Sequence, residues 1–354
     1  MFEDVIEQQA AKALLQAALD EGPVHAYLFH GPPGVGKQRT AIVFAAHLLG
    51  DRSRVERRAH PDLYVLEPLG DQIRIDEIRQ LRRDLHMRPF EAERRVYLIV
   101  SADLMNAEAA YALLKDLDEP PPYAVIILLA DELGPLTETI RSRCQLVPFS
   151  RLSEKAVHTV LAGRAPGLPK ERLTALARVA GGRLDRAERL LDAAAAARRE
   201  ELLSVARATY ADGEFDPSSA ARVVVGHAGA AAAEARERAE RESEWLDLPE
   251  REKEQRLKRA EFGATREAVL EALDELGAWY RDLVAVGVGA EQVVVHLDHL
   301  EELRRDGAFE RIAAAERGVE EVHASWRDFA ELNLQPRLAL ESLFIRLRRA
   351  LVQT

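Results

Sequence analysis

The sequence predicts an α/β protein in which a parallel β-sheet is followed by a long helical region. Short apolar runs typical of buried strands alternate with helical patterns as far as Ser150, and this alternation predicts a parallel sheet covered by helices on both faces. Beyond Ser150 the strand pattern nearly stops. Because a chain of 354 residues is long enough for two or three domains, the two patterns are expected to belong to different domains.

The composition excludes several classes of protein. With 47% hydrophobic and 31% charged residues the chain is an ordinary soluble protein, and its formal charge of −11 argues against a protein that coats DNA by itself. The single cysteine, Cys144, allows neither a disulfide framework nor a four-cysteine zinc site. The acidic N-terminus resembles no signal peptide and no run is long enough to span a bilayer, so we expect a cytoplasmic protein without membrane contact.

The individual elements follow from the spacing of apolar residues. Five apolar runs are predicted strands, at residues 26–29, 63–66, 96–100, 124–129 and 145–149. Helical patterns lie at residues 2–20, 41–49, 73–85 and 106–117, the third with an acidic cap at Asp76. The polar and charged stretch 51–60 favours an exposed connection.

A glycine-rich loop between the first strand and the second helix has the pattern of a phosphate-binding loop. Its glycines let backbone N–H groups turn towards phosphate oxygens, the next helix presents its positive N-terminus, and Lys37 can reach the β- and γ-phosphates. The alternative is a plain Gly/Pro-rich turn. The candidate nucleotide-binding residues are Gly31, Pro32, Gly34, Val35, Gly36, Lys37 and Gln38.

The loop departs from the consensus at its last position. A Ser or Thr hydroxyl normally follows the lysine and ligates Mg²⁺, but this chain has Gln38 there. Thr40 lies two residues further on, about 200° around a helix, and therefore cannot simply substitute. Nucleotide binding is predicted, and hydrolysis is placed in doubt.

A second acidic motif is expected at the tip of the third strand in a hydrolysing enzyme, because an Asp must organise Mg²⁺ and a Glu must polarise water. Those positions hold Val100 and Ser101. Asp103 and Glu108 lie nearby, but on the following turn and helix, and capping of the helix at Asn106 is the favoured interpretation of Asp103. The sequence therefore lacks the usual catalytic acids.

Two arginines, Arg141 and Arg143, come just before the fifth strand, where they could simply pair with carboxylates. Together with other segments, however, they resemble the clamp-loader branch of the AAA+ family, as found in the bacterial DNA polymerase III holoenzyme. The matching segments are residues 25–29, 60–62, 96–99, 112–115, 119–121, 142–144 and 333–341. They span nearly the whole chain in the expected order, which is much more specific than any one motif.

The resemblance implies an AAA+ P-loop nucleotide-binding domain at 1–150, a small helical lid at 151–205 and an all-α collar at 206–354 that oligomerises. It implies partners of three kinds: clamp-loader subunits of the gamma/tau and delta types, a sliding clamp, and primer–template DNA contacted through the complex.

In this family the arginine of the Ser-Arg-Cys motif reaches the ATP of a neighbouring subunit. The resemblance thus implies a catalytic role in trans for Arg143, from a strand at the opposite edge of the domain to its own phosphate loop; a salt bridge holding the 131–139 loop is the alternative.

The departures from the family pattern are equally informative. Many relatives carry a four-cysteine zinc module after the phosphate loop, but residues 51–59 contain no cysteine, so we expect no zinc and no other metal site. Asp185 stands where the family has a lid arginine. With the missing acidic pair, these losses imply a non-hydrolysing stator subunit that can hold ATP or ADP without hydrolysing it.

Two other functions compete with this interpretation. An ATP-hydrolysing motor subunit of the gamma/tau type would need the metal-binding hydroxyl and acidic pair that the chain lacks. A P-loop kinase of small molecules leaves the Ser-Arg-Cys motif and the helical C-terminus unexplained. The mixed charges of residues 234–261 could recruit nucleic acid, but a solvated helix or linker is favoured because Glu and Arg alternate along them.

Overall fold

The structure is a computed structural model that describes residues 2–68, 70, 72–243, 249–332 and 334–352. The chain divides into two compact units. The first contains the chain up to Val160 together with residues 181–186, and the second contains residues 161–180 and the chain from Ala187 onward. Asn333, part of the last matching segment, lies outside the described residues.

The first unit is built on a five-stranded sheet whose strands pair in parallel in the order β2-β3-β4-β1-β5. Each strand lies within one residue of its predicted bounds. The strands are β1 (Ala26–His30), β2 (Leu63–Leu66), β3 (Arg95–Ile99), β4 (Ala124–Ala130) and β5 (Gln145–Pro148). The predicted α/β fold class, a parallel sheet followed by a helical region, is confirmed.

Both faces of the sheet are covered, as a parallel sheet requires. Alternate residues of β1 belong to different cores: Tyr27 and Phe29 pack in one apolar cluster, whereas Ala26 and Leu28 pack in the other. All seven residues of β4 are buried. The continuous apolar run at the centre of the sheet therefore follows from burial on two sides.

The helices up to Arg164 show where the predictions were wrong. They are α1 (Gln9–Glu21), α2 (Lys37–Leu49), α3 (Arg52–Glu56), α4 (Ile75–Leu85), α5 (Ala107–Asp118), α6 (Glu138–Arg141) and α7 (Glu154–Arg164), with a 3₁₀ turn at Ala102–Leu104. The first helix begins seven residues later than predicted because Glu7 and Gln8 have positive φ angles of 51° and 52°. The 51–60 stretch contains α3 and buries Val55 completely. Arg74, not Asp76, is the N-cap residue of α4.

The segment 60–62, which matched the family, has a structural explanation. The Asp62 carboxylate is fully buried and accepts backbone N–H groups of Phe90, Glu91 and Ala92 at 2.7, 3.0 and 2.9 Å. Burial alone would raise the pKa of Asp62, but these three bonds together outweigh it and the pKa is lowered. Asp62 thus fixes the loop that leads into β3.

Beyond β5 the described residues form helices and no strands. The α-helices are α8 (Lys170–Val179), α9 (Leu184–Arg189), α10 (Ala193–Ala211), α11 (Pro217–Ser243), α12 (Glu250–Gly287), α13 (Leu300–Asp306), α14 (Ile312–Glu331) and α15 (Pro336–Val352). Short 3₁₀ turns occupy Glu291–Val293, Leu297–His299 and Phe309–Arg311. The apolar stripe of α12 that runs from Val269 to Leu283 is buried in the core of the second unit. Trp279 of α12 and Phe344 of α15 are among the largest buried side chains of that core.

The predicted domain boundaries can be located on these elements. The boundary at 150/151 follows β5, whereas the boundary at 205/206 falls inside α10. The division into three domains stays a prediction. The charged stretch 234–261 covers the end of α11 and the start of α12, where Arg236 Nη1 donates to Glu261 Oε1 at 2.8 Å; residues 244–248 lie outside the described residues.

Across the described ranges, none of the helices combines the length and the apolar character that crossing a bilayer would require.

Candidate functional site

The loop between β1 and α2 has the strand, loop, helix arrangement that the sequence predicts. Gly31, Gly34 and Gly36 have φ angles of 141°, 68° and 101°, in the region that favours glycine. A Cβ atom on Gly31 would lie 2.1 Å from the Phe149 carbonyl oxygen, so only glycine fits there. The loop lies at the carboxyl end of the sheet, where ligands of parallel α/β folds bind.

Lys37, the central residue of the loop, uses its ammonium group within the protein. Its Nζ atom donates to the carbonyl oxygens of Gly31 and Pro32 at 2.5 and 2.7 Å and to Asp131 Oδ1 at 2.6 Å. The side chain is only 8% exposed. A lysine ammonium has three donors, so these three acceptors satisfy it completely.

Asp131, which the sequence analysis missed as a site residue, follows β4 directly. The signal that could have found it is an acidic residue at the end of the most apolar strand, next to the phosphate-loop strand. Its backbone N–H donates to Asp103 Oδ2 at 3.1 Å, and that of Glu132 donates to the same oxygen at 3.3 Å. The lysine and both acids therefore form one connected group.

The capping interpretation of Asp103 was wrong. The N-cap of α5 is Asn106, whose Oδ1 accepts the Ala109 N–H at 2.9 Å. Asp103 holds the turn after β4 instead, and among the described residues its Oδ1 is buried without a hydrogen-bond partner. Burial raises the pKa of Asp103, and the neighbouring Asp131 charge raises it further.

The positions expected to hold Mg²⁺ are occupied by other contacts. The Gln38 amide donates to Glu67 Oε1 at 3.2 Å. Thr40 is fully buried and its hydroxyl donates to the Gly36 carbonyl at 2.8 Å, as expected for a residue on another side of α2. β3 ends at Ile99, so Val100 and Ser101 are the residues that follow its tip.

Asp185, which the resemblance aligns with a lid arginine, lies against the phosphate loop. A Cβ atom on Gly34 would lie 1.6 Å from Asp185 Oδ1, and the Leu184 N–H donates to the Gly34 carbonyl at 2.7 Å. Arg183 Nη2 donates to Asp185 Oδ2 at 2.8 Å. A carboxylate therefore stands immediately outside the loop.

Arg143 lies in the turn between α6 and β5. Its Nε donates to Asp118 Oδ1 at the end of α5, and its Nη1 donates to the Thr139 carbonyl at 2.9 Å. The two charged side chains are 31% and 47% exposed. Arg143 thus pairs with a carboxylate, as the alternative interpretation allows; the carboxylate belongs to Asp118, outside the 131–139 loop, and the bond to that loop is to the Thr139 carbonyl.

The position of Arg143 relative to the phosphate loop differs from the expectation. β5 is an edge strand, but it pairs directly with β1 and is not at the opposite edge. Because the two strands are parallel, the loop after β1 and Arg143 before β5 lie at opposite ends of the sheet. Strands of four or five residues separate those ends by roughly 13–17 Å.

One cluster in the described part of the chain brings three possible metal ligands within 4.8 Å, and its members are Glu200, Asp298 and His299 of the second unit. Asp298 already accepts a hydrogen bond from Arg199 Nη1 at 2.7 Å, and His299 Nδ1 lies 2.8 Å from Glu302 Oε2. These contacts account for the cluster without an ion.

Residues 6–153 match the family described as DNA polymerase III, delta subunit. The DNA polymerase III subunit delta' of Bacillus subtilis (strain 168) is 32% identical over 164 residues, which are 43% of this chain and 50% of that protein. The subunit delta' of Pseudomonas aeruginosa is 36% identical over 181 residues, 47% of this chain and 55% of that protein. The chain thus matches about half the length of these relatives.

A solved structure, a DNA polymerase III gamma subunit-related protein from Thermotoga maritima, is similar over 97% of this chain and 100% of that one, at 17% identity and a TM-score of 0.46. The family match, over residues 6–153, includes the phosphate loop and Arg143. Residues 6–153 of this chain are therefore similar to the DNA polymerase III delta family, and the two curated relatives above are delta' subunits.

Proposed function

We propose that this chain is a non-hydrolysing stator subunit of the delta-prime type in a DNA polymerase III clamp loader, and that it helps to place a sliding clamp on primed DNA. One observation carries the proposal. Gln38 stands where a Ser or Thr hydroxyl would ligate Mg²⁺, and its amide is bound to Glu67 at 3.2 Å. A P-loop ATPase without that ligand lacks the ion that neutralises charge on the transferring phosphoryl group.

The acids next to the loop support the same conclusion. Asp131 binds Lys37, and Asp103 accepts the Asp131 N–H and so holds the turn after β4, so both acids make contacts within the protein. Neither follows the tip of β3, where a catalytic acid would polarise water. ATP or ADP is a ligand of this loop, held without hydrolysis, and no zinc is involved.

Arg143 acts in trans in this proposal, on ATP held by a neighbouring motor subunit. Its position at the end of the sheet remote from its own phosphate loop favours a role towards another chain. An exposed ion pair such as that with Asp118 is generally worth about 0–1 kcal/mol, so the guanidinium can leave it at little cost. A planar guanidinium then contacts two phosphate oxygens at once.

The partners are other clamp-loader subunits of the gamma/tau and delta types, the sliding clamp, and primer–template DNA reached through the complex. The formal charge of −11 supports contact with DNA through the assembly rather than by this chain alone. The helices after residue 206 are the proposed collar that joins the subunits. The setting is the cytoplasm.

ATP turnover tests the proposal. The purified chain is assayed alone, then with primed DNA, clamp and a motor subunit. We expect negligible turnover by the chain alone and stimulated turnover only in the complex. Steady hydrolysis by the chain alone in the range of about 1–100 s⁻¹, as in phosphoryl-transfer enzymes, would instead support the alternative of a gamma/tau-type motor subunit.

Co-purification tests the collar. Because α10 crosses residue 206, the truncation is made before its N-cap residue Asp192, so that no helix is cut internally. We expect the truncated chain to lose its partners. Retained assembly would place the contacts in the N-terminal region.

A further inference from the structure

We infer that two carboxylates of this chain, Asp131 and Asp185, hold the phosphate loop shut and set its affinity for nucleoside di- and triphosphates. The inference rests on the proposed function only in taking the loop as a nucleotide site. It goes further by assigning residues that oppose binding, and it concerns affinity rather than hydrolysis.

The N–H donors of Lys37 are already used within the protein. A phosphate group that enters the loop needs at least one N–H donor from Lys37. All three donors are taken by Gly31, Pro32 and Asp131, and the side chain is 8% exposed. Of these acceptors, the Asp131 carboxylate is the one that carries charge, so it competes directly with phosphate for the ammonium group.

The second step concerns the space outside the loop. Glycine in a phosphate-binding loop allows the backbone to approach a phosphate closely because no side chain intervenes. At Gly34 that space is occupied by Asp185. A Cβ atom added to Gly34 would lie only 1.6 Å from Asp185 Oδ1. The hydrogen bond from Leu184 N–H to the Gly34 carbonyl, 2.7 Å long, fixes the carboxylate in place.

The third step concerns charge. The Asp185 carboxylate repels phosphate oxygens, because both carry negative charge. Asp131 adds a second carboxylate, in contact with Lys37, and Asp103 adds a third that accepts the Asp131 N–H. Arg183 is paired with Asp185 itself. The loop therefore has an anion already in place, and nucleotide must displace it.

Fluorescence titration of the full-length chain with mant-ADP, without partner subunits, tests this inference. We compare the parent with Asp131→Asn, Asp185→Ala and the double variant. Each single change is expected to tighten binding by about tenfold, since removal of one competing charge at close range is worth about 1.4 kcal/mol or more. The double variant is expected to bind most tightly.

Two controls make the result specific. Asp76→Ala removes an exposed carboxylate of α4 and should bind as the parent does. Lys37→Ala, added to the double variant, should abolish the gain and so place the nucleotide in the loop. Circular dichroism verifies the fold, and the isosteric Asp185→Asn replaces Asp185→Ala if the latter does not fold.

The inference is overturned if the folded double variant binds mant-ADP no more tightly than the parent, or if the gain survives the loss of Lys37. Either outcome leaves the non-hydrolysing role intact. ATP turnover by the parent would contradict the proposed function without affecting the inference about affinity, so the two failures are distinguishable.

Discussion

The two ends of the sheet in the first unit carry cationic residues that differ in their exposure to solvent. At the carboxyl end, Lys37 is nearly buried and its three donors are satisfied by the protein. At the amino end, Arg143 is 31% exposed and paired with Asp118, which is itself 47% exposed. A motif that resembles the family is present at each end, but only Arg143 holds its charge where another molecule can contact it.

A chain can therefore contain a sequence motif without having a site that is free to bind a ligand. Lys37 must give up buried contacts before it can bind phosphate, whereas Arg143 gives up one pair near solvent. The predictions that follow test whether this difference in availability is also a difference in function.

The largest effect is expected from Arg143→Ala in the reconstituted complex. Removal of an arginine finger lowers the rate at its site by about 10³- to 10⁵-fold, because nothing else neutralises the developing charge in the same way. DNA-stimulated ATP hydrolysis at the interface with the neighbouring motor subunit is the quantity to measure.

Arg141→Ala is the matched control, since Arg141 ends α6 only two residues away. We expect a much smaller loss. Gel filtration must show that both variants still assemble. Equal losses from the two substitutions would assign the effect to the turn as a whole rather than to the Arg143 guanidinium.

Lys37 and Arg143 can also be compared by how much each contributes to the stability of the folded protein. Lys37→Met leaves Asp131 and two carbonyl groups without their donor, and we expect a loss of about 1–3 kcal/mol in the free energy of unfolding. Arg143→Ala should cost no more than about 1 kcal/mol, because its ion pair is exposed. Urea unfolding measures both, and similar costs would mean that the two cations are held alike.

Gly34→Ala tests the contact between the loop and Asp185. An alanine at φ 68° costs about 1–2 kcal/mol, and its Cβ also meets the carboxylate. Gly134→Ala is the control, because an added Cβ meets nothing within 4 Å. A double-mutant cycle with Asp185→Ala should recover part of the loss. Purely additive costs would show that Asp185 does not press on the loop.

The smallest effect concerns pH. The folded state raises the pKa of Asp103, through burial first and the Asp131 charge second, so the folded protein holds the proton more tightly than the unfolded chain. Stability therefore falls as pH rises from about 3.9, the ordinary Asp value, through the raised one. Asp103→Asn should remove this slope and gain about 0.5 kcal/mol at neutral pH. A steeper slope in the variant would contradict the assignment.

Local patterns predicted the sheet well because each strand is short, apolar and bounded by turn residues. They also predicted the loop, since its glycines and lysine are contiguous. They failed at α1, where positive φ angles at Glu7 and Gln8 delay the helix, and at α3, whose charged sequence conceals the buried Val55. These outcomes depend on contacts with distant parts of the chain.

The contact of Lys37 with Asp131 and the approach of Asp185 to Gly34 could not be predicted for the same reason. Asp131 lies 94 residues from Lys37 in sequence and meets it only because β1 and β4 are neighbours. Asp185 reaches Gly34 only because residues 181–186 pack with the first unit. The sequence alone placed an acid at the lid position but gave no distance to the loop.

The central claim is that this chain contributes Arg143, and not its own phosphate loop, to ATP hydrolysis. The most direct measurement compares Lys37→Met and Arg143→Ala in the same reconstituted complex, with assembly verified for each. We expect DNA-stimulated ATP turnover to stay at the parental level with Lys37→Met and to fall steeply with Arg143→Ala. Loss of turnover with Lys37→Met, together with normal turnover by Arg143→Ala, would contradict it.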